Sequence, residues 1–508
     1  MKDKSTLLTT TSTVVMWAAA SMLSVVTATA ATDLRLVDAV KGRDKEVVRT
    51  LITQRVDVNA PQDDGTTALS WAAHWDDLEV ADLLIGAGAN ANAANEYGVS
   101  PLWEACNNAS GAMVGRLLKA GANPNSVLRA GETALLRCAR TGNPDAVKSL
   151  LARGGDVNAK EPSRGQTALM WALEENHPVV AAMLIEAGAD VHAKSKAGFT
   201  PLSFAARRGD LASARLMLDK GADPNETAPG GLNALLMATD SGQEDFAIFL
   251  LEHGANPNSA DRDGASALHI AMRSGMSLLH GVARDPSYAD SLDYLFRPPM
   301  TRLVKALLDH GANPNARIAK GSRKTPARPS DRPKLGLAGA SLFMLAAAAG
   351  DVDVLRMLLA KGADPKLTTE DGTTPLMAAA GVGFSDNMAK DAEARGLAAT
   401  ELLIELGADP NASNKWGTTA LHGAAYTGAN EIVRFLVSKG ADLNATDQYG
   451  QTPLSIAEGD PNYLGDDFER RSNPKTAELI RQLGGDPLAT GAGTASVGGV
   501  TSAIAGSK

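Results

Sequence analysis

Eight histidines, two cysteines and 58 acidic residues are the side chains of this 508-residue chain that could move protons, hold a metal or act as nucleophiles. A hydrolase sets a nucleophile beside a base, and a helical zinc site places two histidines one turn apart. Neither pattern is written here. There is no His-x-x-x-His pair, Gly-x-Ser-x-Gly turn, phosphate-binding loop or dinucleotide fingerprint. His253 and His310 each stand just before a glycine, where a cation suits a helix C-terminus. Acid pairs such as Asp63-Asp64 and Glu174-Glu175 read as ordinary surface charge. The sequence therefore argues against an enzyme and calls for no metal and no cofactor.

Composition narrows the remaining classes. Apolar residues make up 44% of the chain but aromatics only 4%. The core must then come from Ala, Leu, Val and Met, which favours closely packed helices over a β-sandwich. A formal charge of −9 argues against nucleic acid as a partner. Residues 1–30 form a separate segment: Lys2 and Lys4, an apolar run from Val14 to Val26, then the small-x-small stretch Ala28-Thr29-Ala30. This is the pattern of a cleaved signal peptide, so the chain is expected in a periplasm or secreted. Nothing later is apolar enough to span a bilayer, so no stable membrane insertion is expected after cleavage. Cys106 and Cys138 stand where other copies of the repeat described next write Ala-Ala, and they read as small buried core residues. A disulfide between them is not expected, because it needs Cα atoms within about 7 Å while neighbouring helices pack about 8–10 Å apart.

The elements that must position any site are spelled out by repetition. The phrase GFTPLSFAARRGD at 198–210 has counterparts led by glycines at 65, 98, 131, 165, 231, 264, 339, 372, 417 and 450. Most successive leads are 33 residues apart, and a second phrase, Gly-Ala-Asp/Asn-x-Asn, usually follows 23 residues after each lead. That is the period of a helix-turn-helix unit stacking on copies of itself. Thr200 is placed to accept backbone N–H groups at a helix start, and Pro201 fits the first turn. Leu202, Ala205 and Ala206 make an apolar face that lets the next helix approach. Gly209 ends the helix and Asp210 opens another, whose Ala214, Leu216, Met217 and Leu218 supply core. Gly221 then stops the second helix in a left-handed turn, and Pro224 prevents a restart.

Thr419-Ala420-Leu421-His422-Gly423-Ala424 nearly spells Thr-Pro-Leu-His-x-Ala. On this motif and the period, residues 33–487 resemble an ankyrin-repeat protein, exported and of bacterial type. Ala replaces Pro at 68, 134, 168, 234, 267 and 420, and the copy led by Gly339 writes Ser341-Leu342-Phe343. The resemblance implies an all-α solenoid of about twelve units joined by extended β-hairpin-like turns, with structural roles for His269 and His422. The expected organisation is a signal peptide at 1–30, an N-terminal capping repeat at 31–61 and regular repeats at 62–275. A repeat with two insertions follows at 276–338, then repeats with one insertion at 339–449. A capping repeat at 450–487 and a disordered tail at 488–508 complete the chain.

Function is expected where copies differ. Insertions follow Gly275, Gly381 and Glu458, and the first carries Tyr288, Tyr294, Phe296 and Pro298-Pro299. A fourth, between 317 and 338, holds Arg317, Lys320, Arg323, Lys324, Arg328, Arg332 and Lys334 against Asp331 alone; it reads as a solvated loop, with docking of an acidic partner or of phosphate groups as the alternative. The resemblance implies a concave surface made from the turn tips and the exposed sides of the first helices. Trp75, Tyr97, Phe199, Trp416, Tyr426 and Tyr449, with Arg207, Arg208 and Arg273, fall on those rows. They are the residue types that anchor interfaces, and Trp416, Tyr426 and Tyr449 form the expected anchor. Trp71 and Trp171, one residue before the alanines, are assigned to the core. The expected function is a monomeric, non-catalytic scaffold binding another protein along this face. The alternative is an accessory protein binding a small ligand or cofactor near the 276–299 insertion.

Overall fold

The computed structural model describes residues 33–262, 264–272, 300–318, 339–382, 390–459 and 472–486. The export segment, the insertion at 276–299, Arg273, the basic stretch beyond Ile318, the insertion after Glu458 and the C-terminal tail lie outside the described residues. Within them the chain forms 24 helices, two in each of twelve units, and no strand; isolated antiparallel bridges such as Val127 with Thr133 mark the extended turns. First helices pack on first helices of the neighbouring units, and second helices on second helices.

Local chemistry sets the helix ends. The hydroxyls of Thr67, Ser100, Thr133 and Thr167 accept the N–H three residues on, at 3.2–3.4 Å. Thr200 departs from that expectation: its hydroxyl lies 3.3 Å from the hydroxyl of Ser203, which competes for it. Asp210 caps its helix as expected, accepting from the Ser213 N–H at 3.1 Å. The lead glycines answer two demands at once. Gly198 has φ +83°, and a Cβ there would fall 2.4 Å from Cδ of Pro229 in the next turn. Gly221 has φ +91° but open space around it, so only its backbone conformation requires glycine.

The core is a continuous column of small and aliphatic side chains. Ala72, Ala105, Ala139, Ala172, Ala205 and Ala206 are fully buried where first helices meet. Cys106 and Cys138 are buried in this column as expected, but they form a disulfide, with Cα atoms 4.6 Å apart. The expectation failed because it compared the wrong distances. Axes about 8–10 Å apart leave facing Cα atoms only about 4–5 Å apart, since each sits about 2.3 Å off its own axis. Trp71 and Trp171 also differ from expectation: they pack against the core but are only half-buried. The residues added after Gly381 are not all loop. The second helix of that unit, Lys390–Glu405, has 16 residues where its counterparts have 9. Glu393 on the added turns accepts the N–H of Glu431 in the following unit at 2.8 Å.

Two ladders join the units along the connections between each second helix and the first helix that follows. At the turn tips, Glu96 N–H donates to the Asp64 carbonyl (2.8 Å), Arg129 to Tyr97 (3.0 Å) and Gln448 to Trp416 (2.7 Å). Beneath the second helices, the last Asn of the Gly-Ala-Asp/Asn-x-Asn phrase uses both ends of its amide. Asn225 Nδ2 donates to the Gly254 carbonyl at 3.0 Å, and its Oδ1 accepts from Asn256 N–H at 2.7 Å. Asn59, Asn92, Asn125, Asn158, Asn258, Asn315 and Asn411 repeat this pair of bonds. Among the described residues the ladder is interrupted at two places, where His192 and Lys366 occupy the Asn position.

Candidate functional site

The first helices bury their alanine side and turn the opposite side outward, so one row of side chains runs across successive units. The turn tips continue that row. Trp75 is 38% exposed at the end of Ala68–His74, while Tyr97 (59%) and Tyr449 (65%) stand at turn tips. The Tyr97 phenol bonds to Glu96, and this bond and the adjacent negative charge push its ionisation above the usual tyrosine value. Trp416 is half-buried at the turn tip beside Tyr449's, and Lys415 Nζ lies 4.6 Å from its ring. Tyr426 and Phe199 are half-buried and pack against the core. Among the expected anchors, the free surface therefore concentrates at Trp75, Tyr97 and Tyr449.

The arginines of the row are tied into ion pairs. Arg207 and Arg208 both reach Glu174 of the preceding unit, at 3.3 and 3.8 Å. Arg140 pairs with Glu175 at 3.2 Å, and Arg137 with Glu132 at 2.9 Å. Sequence reasoning missed a second feature of the same row. Besides Trp416, four more of the six tryptophans carry a cation over the ring: Lys41 over Trp71 (5.1 Å), Arg43 over Trp75 (5.2 Å), Arg137 over Trp103 (4.6 Å) and Arg140 over Trp171 (4.5 Å). Each cation comes from the end or exposed side of one first helix, and in three of the pairs the ring lies on the adjoining unit's first helix, with Trp71 and Trp171 at the same position of the repeat. Aligning the copies on their lead glycines would have revealed those pairings. The Arg137–Trp103 pair also leaves two buried donors, Arg137 Nε and Trp103 Nε1, without a hydrogen-bond partner.

The histidines divide as their positions suggest. His253 and His310 donate from Nδ1 to carbonyls four residues back, Phe249 and Ala306, each at 2.8 Å, closing helix C-termini. His422 accepts the Thr419 N–H on Nδ1 at 3.2 Å, so its Nε2 carries the proton and meets the Gln451 carbonyl of the next unit at 3.1 Å. His269 makes the same Nδ1 bond to Ser266, but its Nε2 is buried without a partner. Burial lowers the pKa of both, that of His269 to about 4. Both rings act as helix-start locks rather than proton carriers.

Among the described residues no group of three or more His, Cys, Asp and Glu could hold a metal ion, and no helix is long and apolar enough to cross a membrane. A shallow hollow lined by Arg434, Pro474, Glu478 and Leu479 lies between the second helices of the last two units, away from the first-helix row. The alternative ligand site at 276–299 falls outside the described residues.

Sequence profiles support the reading of the repeats. One described as Ankyrin repeats (3 copies) matches residues 36–127, 105–195, 135–228 and 202–284. Others described as Ankyrin repeats (many copies) match 342–386 and 403–457, and one described as Ankyrin repeat matches 371–415. No curated protein matches the chain. Taken with twelve stacked helix pairs in register, these matches over most of the described residues show that the chain belongs to the ankyrin-repeat family, whose solenoids serve in general as protein–protein interaction scaffolds.

Proposed function

We propose that this protein is an exported, monomeric scaffold that binds a segment of a partner protein along the concave face formed by the first-helix row and the turn tips. The observation that carries the reading is the exposure of Trp75, Tyr97 and Tyr449 on one row, where the other aromatics among the described residues are largely packed. Exposed Trp and Tyr are the usual anchors of interfaces. Export is supported by the signal-like residues 1–30 and by the disulfide, a bond that persists in oxidising compartments.

A photo-crosslinking amino acid placed at Tyr97, at Tyr449 and, on the second-helix side, at Val179 tests the surface. Val179 is 61% exposed, so it controls for simple accessibility. The reading expects one partner band from Tyr97 and Tyr449 and none from Val179. Equal bands from all three, or a band from Val179 alone, would overturn it. Amino-terminal sequencing of the protein recovered from a bacterial periplasm should begin at Ala31; recovery of the intact Met1 terminus in the cytoplasm would remove the export claim.

A further inference from the structure

Two cations on the first-helix row stand apart from the rest. Arg137, Arg140, Arg207 and Arg208 are each neutralised by a glutamate of the row. Lys41 and Arg43, at the end of the helix Arg35–Lys41, instead lie over Trp71 and Trp75 and have no carboxylate within ion-pair distance among the described residues. The two rings stack with centroids 6.2 Å apart, and His74 fits edge-on against both at 5.5 and 4.8 Å. His74 is in turn held by Glu104 at 3.2 Å, and Trp71 Nε1 donates to Gln62 at 2.9 Å. The aromatic pair is thus fixed from behind, and it holds two exposed cations whose N–H groups the protein does not use.

We infer that this cluster, Lys41, Arg43, His74 and Trp75, is the recognition site for an acidic segment of the partner protein; the inference rests on the scaffold reading above and names the chemistry of its ligand. A cationic ligand is disfavoured, because the ring faces already carry the protein's own cations. Cation–π contact uses the face of a guanidinium and leaves its N–H edges free to grip a carboxylate in two places. Stacking also pre-orders long side chains that would otherwise lose rotamer freedom on binding. The chain as a whole carries −9, so an acidic segment is repelled along most of the surface and attracted here. Such a pattern sets register and orientation as well as affinity.

Arg43 offers a clean test, because its backbone is left-handed (φ 61°) and Gly142, Gly209, Gly350 and Gly428 hold the same place in other units. Arg43→Gly removes the cation and relaxes the backbone together, so the variant is expected to fold at least as stably as the parent. The probe is a labelled twelve-residue peptide of Glu, Ala and Gly, read by fluorescence anisotropy against full-length protein, beside the same peptide with Gln for Glu. The Glu peptide is expected to bind, the Gln peptide to bind at least about tenfold more weakly, and Arg43→Gly and Lys41→Gln each to cost about fivefold. Arg208→Gln, which removes a cation already paired, is expected to change binding less than twofold. Equal binding of the two peptides, or unchanged affinity in Arg43→Gly, overturns the inference. So does binding of phosphatidylglycerol vesicles without binding of the peptide, which would make the cluster a lipid contact. If Tyr97 and Tyr449 still crosslink a partner while the acidic peptide does not bind, the scaffold reading stands and only the acidic specificity falls.

Discussion

Replacing Asn225 by alanine removes one rung of the ladder that ties the second-helix ends together. The side chain makes two bonds to the following unit, to the Gly254 carbonyl at 3.0 Å and from the Asn256 N–H at 2.7 Å. A net intramolecular hydrogen bond contributes about 0.5–1.5 kcal/mol, and exposed bonds lie near the lower end because water replaces them. The loss should therefore total about 1–2 kcal/mol at a single interface between units, since stability in a solenoid is roughly a sum of unit and neighbour contributions. The reverse change is available in the same molecule. His192 occupies the Asn position between the Gly165 and Gly198 units, and His192→Asn should restore two bonds and stabilise that junction by a similar amount. Hydrogen exchange followed by mass spectrometry reads both. The Asn256 amide should exchange about five- to thirtyfold faster in Asn225→Ala, and peptides spanning 209–225 should exchange more slowly in His192→Asn. Urea unfolding should begin at the His192 and Lys366 junctions in the parent protein. Unchanged exchange at Asn256, or a less stable His192→Asn, would refute the claim that this ladder holds the units together.

Three further outcomes follow from the same physics. Replacing Cys106 and Cys138 together by alanine, which is already the residue at these positions in other units, should cost about 4 kcal/mol in the chain-entropy account of a cross-link separated by 32 residues; thiol titration of the unfolded parent should find no free thiol before reduction. His269 has a folded pKa of about 4 against an ordinary value of 6.5, so its contribution to stability is fully present above pH 6.5 and is lost as pH falls toward 4. That loss amounts to about 3 kcal/mol, and His269→Gln, which keeps a side-chain acceptor at the helix start, should flatten the fall in urea midpoint between pH 7 and pH 4.5. Gly198→Ala should destabilise more than Gly221→Ala in thermal unfolding, because the first meets Pro229 as well as an unfavourable φ and the second only the φ.

Twelve helix pairs, their caps and their stops were legible in the sequence because each is set by a few neighbouring residues: Thr or Ser before the helix, Pro in its first turn, Gly after it. Family membership was legible for the same reason, since a stacked fold repeats its local code. What a side chain on the row can do is another matter, because it depends on what the adjoining unit places opposite it. Arg207 and Arg208 are exposed by their position in the phrase, yet Glu174 of the previous copy ties both down, while Lys41 and Arg43 are left to stack on tryptophans of the next unit. The disulfide was misjudged from the sequence because the separation of facing Cα atoms follows from how closely two helices pack, which the alanine-lined interface decides. Local codes fix each helix pair; partners for its outward side chains are set by stacking, which brings together residues about 30 positions apart.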